Sequence, residues 1–360
     1  MNIFKDIFGQ KIITENFSSA ILNNKLHHAY LFNGPAGVGK EAVALEIIKI
    51  TNCLDDSEQG ACGICSSCKE FGEFRSDDLM YIFPKIIKKS DGDKAIREKN
   101  KDVADGLKEK GKMNGYSKFT FKLGRFITLD QINEIKYFSQ FNSLSKYKKF
   151  IIISSPEKMN KEAQNALLKI LEEPPANMYF FLISENPAFL LDTIISRCQN
   201  VTFPALNEKD ILSYCETYLQ DVDTELIQDA ASRSLGSIDK LKMLVTKQGN
   251  QLMTIQNEIV RLFLNSTPPE SLSMIDTFVE ESKSLSDDDI EFVLNGAVEK
   301  LIQNTFKNEK KSSIYHIEKI LTHFQRFGYM FKRNINPKLL MINLYFNYRE
   351  ELKKWKKNQT

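Results

Sequence analysis

A parallel α/β domain built around a phosphate loop, followed by an all-helical remainder, is the fold class this sequence predicts, and three observations carry that reading. The segment Gly34-Pro35-Ala36-Gly37-Val38-Gly39-Lys40 lies between a short apolar run and a stretch with helical spacing. Apolar strand segments at Phe150 to Ile153 and Tyr179 to Ile183 bracket the helix-like run Asn165 to Glu173, and strand signals fade after Pro204. Strands that alternate with helices imply a parallel sheet.

Residues 28–50, HAYLFNGPAGVGKEAVALEIIKI, read as strand, glycine turn and helix. Pro174 and Pro175 end the helix that starts near Asn165, because proline lacks a donor and disfavours helix in the residue before it. From Ala205 onward apolar residues fall three and four apart, which marks helices. Ile317, Ile320, Leu321, Phe324 and Phe327 form one stripe; a break is expected at Gly328 and a restart at Asn336-Pro337, where asparagine caps and proline fills the first turn. Residues 85–122 differ in kind, with twelve Lys or Arg against six Asp or Glu and four glycines. That basic insertion reads as a solvated surface excursion rather than a site.

At 360 residues the chain is long enough for two to three domains, and 42% hydrophobic with 27% charged residues is ordinary globular composition. A net charge of +2 advertises no nucleic-acid binder, so any DNA contact must come from local patches. Apolar runs such as Met178 to Ile183 fall far short of the roughly 20 residues of a membrane helix. The start MNIFKDIFGQ lacks a basic segment followed by an apolar one, so the expected setting is cytoplasmic and reducing, with no membrane partner. Cysteines there are thiols or ligands.

Gly34, Gly37, Gly39 and Lys40 fit the pattern G-x-x-x-x-G-K, whose backbone amides and lysine cradle phosphates at a helix N-terminus. The next position should carry a hydroxyl for Mg²⁺ and instead holds Glu41, whose carboxylate repels a triphosphate, so ATP or ADP binding is expected to be weak or absent. Cys53, Cys62, Cys65 and Cys68 fall within a short span, spaced C-x(8)-C-x-x-C-x-x-C, as four thiolates of a structural Zn²⁺ site would. Free thiols and an iron-sulfur cluster are the alternatives. Cys198 and Cys215 stand among apolar residues and read as buried thiols, and His27, His28, His316 and His323 show no ligand spacing.

With these residues assembled, the chain resembles the AAA+ clamp-loader family of replication. The resemblance rests on FGQ at Phe8 to Gln10, HAYLFNGPAGVGK at His28 to Lys40, the four cysteines, ITLDQINEI at Ile127 to Ile135, NALLKILEEPP at Asn165 to Pro175 and TIISRCQ at Thr193 to Gln199. It implies an α/β AAA+ domain over 1–205 with a zinc module at about 53–68, a helical lid over 206–254 and a helical collar over 255–360 that joins five subunits. It also implies Asp-Glu at the end of the Walker B strand, where this chain has Ser155 and Pro156, and an arginine in the lid, where it has Asp239. The implied subunit therefore lacks intrinsic ATPase activity. Arg197 of Ser196-Arg197-Cys198 matches the arginine that reaches the ATP of a neighbouring subunit, an arginine finger acting in trans. Implied partners are gamma or tau motor subunits and a delta subunit in a hetero-pentamer, a sliding clamp, and primed DNA through the assembled complex.

Two other functions fit parts of the sequence. One is an active AAA+ motor. The other, from a different class, is a stand-alone zinc-bearing nucleic-acid binder using the basic insertion and the run Lys353-Lys354-Trp355-Lys356-Lys357.

Overall fold

A computed structural model describes residues 3–55, 59–84, 103, 105–108, 110–112, 115–116, 126–140, 147–175, 177–220, 222–265, 268–285, 287–306, 314–331 and 336–357. Most of the basic insertion therefore lies outside the described residues. By compactness the chain divides into residues 1–242 and 243–360.

The first unit is built on five parallel strands: β1 (Ala29–Asn33), β2 (Leu79–Ile82), β3 (Lys149–Ser154), β4 (Met178–Ser184) and β5 (Gln199–Thr202), in the order β2-β3-β4-β1-β5. The central strands are near-continuous apolar runs because both of their faces are covered. Alternate residues divide between two cores: Leu31, Ile151, Ile153, Phe180 and Leu182 face one way, Phe32, Phe150, Ile152, Phe181 and Ile183 the other. On the second face lie α1 (Lys11–Leu22) and α2 (Lys40–Thr51), through Phe17, Val43 and Ile47. After the short α3 (Ser66–Gly72), α4 (Leu129–Gln140) and α5 (Lys161–Glu172) cover the first face through Ile132, Ile135, Leu167 and Leu171.

Local chemistry sets the ends of α5. The Asn160 side chain accepts from the Ala163 amide at 2.9 Å, and the helix stops at Glu172, before the expected Pro174-Pro175 breaker. The one-turn α6 (Asp192–Ile195) leads through Ser196-Arg197-Cys198 into β5, and α7 (Glu208–Tyr218), α8 (Thr224–Arg233) and α9 (Ile238–Leu244) follow.

The second unit comprises α10 (Lys247–Asn265), α11 (Pro268–Ser282), α12 (Asp287–Phe306), α13 (Ile314–Phe331) and α14 (Pro337–Lys357) around one apolar core. Helix α10 runs unbroken through position 254, where the resemblance sets the end of the lid. The stripe on α13 is core as expected, with Ile320, Phe324 and Phe327 buried. The expected break at Gly328 does not occur: α13 continues to Phe331, and a Cβ at position 328 would meet only Leu294 at an ordinary 3.7 Å, so neither backbone nor packing marks this glycine as a stop. Asn336 caps α14 as its sequence suggests, accepting from the amides of Lys338 and Leu339. The lysine-rich run at 353–357 is no separate tail. It is the last stretch of α14, and Trp355 within it is buried in the core.

Candidate functional site

The phosphate loop joins β1 to α2 where the strand-loop-helix pattern placed it. Gly37 and Gly39 have φ of 72° and 94°, left-handed values that glycine adopts without strain. Their missing side chains make room for the chain's own segments. A Cβ on Gly39 would come within 3.0 Å of the Tyr116 ring, and one on Gly37 within 2.5 Å of Ser237 Oγ and 2.7 Å of the Asp239 amide nitrogen. The Ile238 amide donates to the Gly37 carbonyl at 2.9 Å. Lys40 is buried and turns back on its own loop, donating through Nζ to the carbonyls of Gly34 and Pro35 at 2.7 and 2.6 Å. Burial lowers its pKa, against the pull of Glu185, Glu41, Asp239 and Glu157.

Glu41 does not face an open phosphate cradle. Its carboxylate accepts from the hydroxyls of Tyr81 and Ser154, each at 2.7 Å, and is ion-paired with the ammonium of Lys110. Burial alone would push the Glu41 carboxyl up, but the Lys110 charge and these hydrogen bonds outweigh it and hold the group below the usual carboxylate range. Tyr116 adds a second contact: its hydroxyl accepts from the Phe8 amide at 3.1 Å, and its ring packs on Phe8 and Tyr214. The Tyr116 carbonyl accepts from Lys242 Nζ, a lysine whose pKa burial lowers to about 8.

Lys110 and Tyr116 belong to the basic insertion, and each is only 4% exposed. The expectation of a solvated excursion is therefore corrected for these residues: one basic side chain and one aromatic fold inward over the phosphate loop. Its net positive charge concealed this, because composition cannot show which lysine finds a buried carboxylate.

At the end of β3, Ser154 is the residue that reaches Glu41, one position before the expected Ser155. Ser155 has φ 57° ahead of a single 3₁₀ turn, and Pro156 is buried. The first carboxylate after the strand, Glu157, accepts from Ser184 Oγ at 2.7 Å. Asp239 lies against Gly37, in the lid position where the resemblance expected an arginine.

Arg197 stands at the opposite end of the sheet. His27 and His28 precede β1, and Ser196-Arg197-Cys198 precede β5, so these residues gather at the N-terminal ends of two paired parallel strands while the phosphate loop leaves the C-terminal end of β1. They line a cavity of about 520 Å³ together with Leu171, Glu172 and Gln199. Arg197 donates through Nη2 to Glu172 Oε1 at 2.7 Å and through Nη1 to the Thr193 carbonyl at 3.0 Å. Cys198 is buried, which pushes its thiol up to about 12, and Cys215 is buried also, as their apolar neighbours suggested.

The four clustered cysteines do converge. Cys53, Cys62, Cys65 and Cys68 bring their Sγ atoms within 4.8 Å of one another, with those of Cys62 and Cys68 4.0 Å apart. In a tetrahedral site with Zn–S of about 2.3 Å the sulfurs are about 3.8 Å apart, so a small contraction would close a shell around a metal ion. Backbone amides already serve the sulfurs: Cys62 N–H donates to Cys53 Sγ, Cys65 N–H to Cys62 Sγ and Cys68 N–H to Cys65 Sγ, at 3.3 to 3.4 Å. Amide donors at Cys65 and Ile64 lower the Cys62 pKa to about 6, favouring its thiolate, whereas burial raises the thiols of Cys53 and Cys68. These residues could hold a metal ion. His316, by contrast, is a buried partner of Glu351 in the helical unit.

Sequence reasoning missed Tyr81, Lys110, Tyr116, Ser154 and Glu172. For Glu172 a signal existed, since it belongs to the NALLKILEEPP segment. The others carry no local pattern: Ser154 meets Glu41 across 113 residues of chain.

Residues 9–207 match the family model described as "DNA polymerase III, delta subunit". The chain is 30% identical to DNA polymerase III subunit tau of Salmonella typhimurium over 61% of its own length and 28% of that protein. It is 24% identical to the tau subunit of Bacillus subtilis, over 97% of this chain and 50% of that protein. To DNA polymerase III subunit delta' of Bacillus subtilis it is 28% identical, over 70% of this chain and 70% of that protein. The chain thus spans no more than half the length of these tau proteins and a larger share of the delta' protein. Among the described residues no helix is long and apolar enough to cross a membrane.

Proposed function

Since the chain belongs to the DNA polymerase III delta-subunit family, we propose that it is a clamp-loader subunit of the delta-prime kind, one that does not hydrolyse ATP. In this reading it holds a hetero-pentameric ring with gamma or tau motor subunits and a delta subunit, and it presents Arg197 to the ATP of its neighbour. The ring opens a sliding clamp and loads it on primed DNA. A cytoplasmic setting and a structural zinc ion on Cys53, Cys62, Cys65 and Cys68 belong to the same proposal. Four thiolates would saturate the metal and leave no position for catalytic water, so zinc would fold the 53–68 module and take no part in the chemistry.

The observation that carries the reading is the protein-filled phosphate loop. Glu41 engages Lys110, Tyr81 and Ser154, and Tyr116 lies against Gly39. Hydrolysis needs a directed metal and an oriented water, and neither Ser154, Ser155 nor Pro156 supplies a carboxylate for them. Lys40 is engaged with its own loop. Arg197 needs none of these parts, because its guanidinium offers an always-charged fork of donors to phosphate oxygens of another subunit.

The similarity to tau favours a second reading, an active motor. Steady-state turnover separates the two: the purified chain should hydrolyse no ATP, and turnover that Lys40→Ala abolishes would replace the first reading with the second. Elemental analysis should find about one zinc per chain. A content near zero, with all four thiols freely titrating, removes the metal from the proposal.

A further inference from the structure

Glu172 closes the last turn of α5, two residues before the Pro174-Pro175 stop, and this placement sets its carboxylate beside the turn that carries Arg197. Among the described residues that line their shared cavity, they are the only carboxylate and the only arginine or lysine. The guanidinium is gripped at both terminal nitrogens, by Glu172 Oε1 and by the Thr193 carbonyl. Those two bonds use two of the five N–H donors of an arginine, which leaves Nε–H and one N–H on each terminal nitrogen to meet an incoming anion. An arginine side chain otherwise samples many rotamers, and a fork oriented beforehand loses less freedom when it engages phosphate.

We infer that Glu172 is a positioning residue for Arg197: its carboxylate fixes the direction of the guanidinium before the neighbouring subunit's nucleotide arrives. The inference rests on the reading of Arg197 as a finger in trans. Both side chains are partly exposed, 35% for Arg197 and 43% for Glu172, so their pair adds little to folding and its use lies in orientation. The amide of glutamine would keep an oxygen acceptor at the same place, whereas alanine would keep nothing.

The test uses reconstituted complexes containing the full chain, with clamp loading and DNA-stimulated ATPase as readouts. Glu172→Ala should lower kcat by up to about fivefold, the scale of one exposed ion pair, with KM for ATP unchanged, because orientation matters most in the transition state. Glu172→Gln should restore most of the rate. In an Arg197→Ala background, Glu172→Ala should have no further effect, a result that a purely structural role would not produce. If Arg197→Ala slows the complex while Glu172→Ala does not, or if the double variant falls well below Arg197→Ala, the positioning role is overturned and the finger stands. If Arg197→Ala complexes run at the wild-type rate, the finger reading itself fails and the positioning role fails with it.

Discussion

The two ends of the sheet carry opposite kinds of charged site. At the C-terminal end of β1 the phosphate loop is closed: Lys40 is 6% exposed, Glu41 is satisfied three times over, and Tyr116 fills the space beside Gly39. At the N-terminal end of β1 and β5, Arg197 faces an open cavity of about 520 Å³ and is held by a single carboxylate and a carbonyl. A five-residue strand is about 17 Å long, so neither site reaches the other within one chain. The contrast teaches that one protein can retain the shape of a nucleotide loop as internal structure while keeping an arginine at an open cavity elsewhere.

Substitution at Arg197 should produce the largest change. Arginine fingers are worth on the order of 10³ to 10⁵ in rate, and a ring with several ATP sites would feel part of that through one of them. Loading by complexes carrying Arg197→Ala should therefore fall steeply, and Arg197→Lys should fall almost as far, because a point charge cannot copy the fork. The variant chain should still fold and enter the ring, which sedimentation checks.

The closed end should answer through stability instead. Glu41→Gln removes the charge that faces buried Lys110, and breaking a buried pair from one side costs about 3 to 5 kcal/mol, on the order of 10 °C in Tm. A shift below about 2 °C in a thermal melt would mean that Lys110 simply swings into water. Acid should act in the same direction. The Glu41 carboxyl is held below its ordinary value of 4.5 by Lys110 and its hydroxyl partners, so its stabilising contribution is complete above that pH and is lost as pH falls through the lowered value. Hydrogen exchange at the amides of Lys110, Gly111, Lys112, Gly115 and Tyr116 should therefore rise at acid pH, and Glu41→Gln should abolish that pH dependence.

Lys40→Ala sharpens the comparison with the smallest effect. In an active motor this lysine is indispensable, whereas here its contacts are two carbonyls of its own loop. Complexes carrying Lys40→Ala should load clamps within about twofold of wild type. A loss comparable to that of Arg197→Ala would show that the closed end still handles nucleotide.

Much of the fold and part of the site are legible in the amino-acid sequence. Short-range patterns carry short-range consequences: the apolar runs of β3 and β4 are strands because both faces are covered, Asn160 and Asn336 cap the helices that follow them, and four cysteines within one small module meet because little chain separates them. Gly328 misleads in the same terms. A glycine near a helix end reads as a stop, but here the helix goes on through it to Phe331, because neighbouring side chains of α13 are held in the apolar core on either side.

The sequence by itself determined the phosphate loop, the cysteine cluster and the place of Arg197, because each is written within a few consecutive residues. It also determined the absence of a carboxylate at Ser154, Ser155 and Pro156, whichever of them faces the loop. Only the tertiary structure decided what occupies the loop and what holds the arginine. Lys110 meets Glu41, and Glu172 meets Arg197, through folding that brings distant segments together. Charge composition cannot foresee such meetings, because a lysine in water and a lysine on a buried carboxylate are the same letter. Their difference is desolvation and geometry, and both exist only once the chain has closed around them.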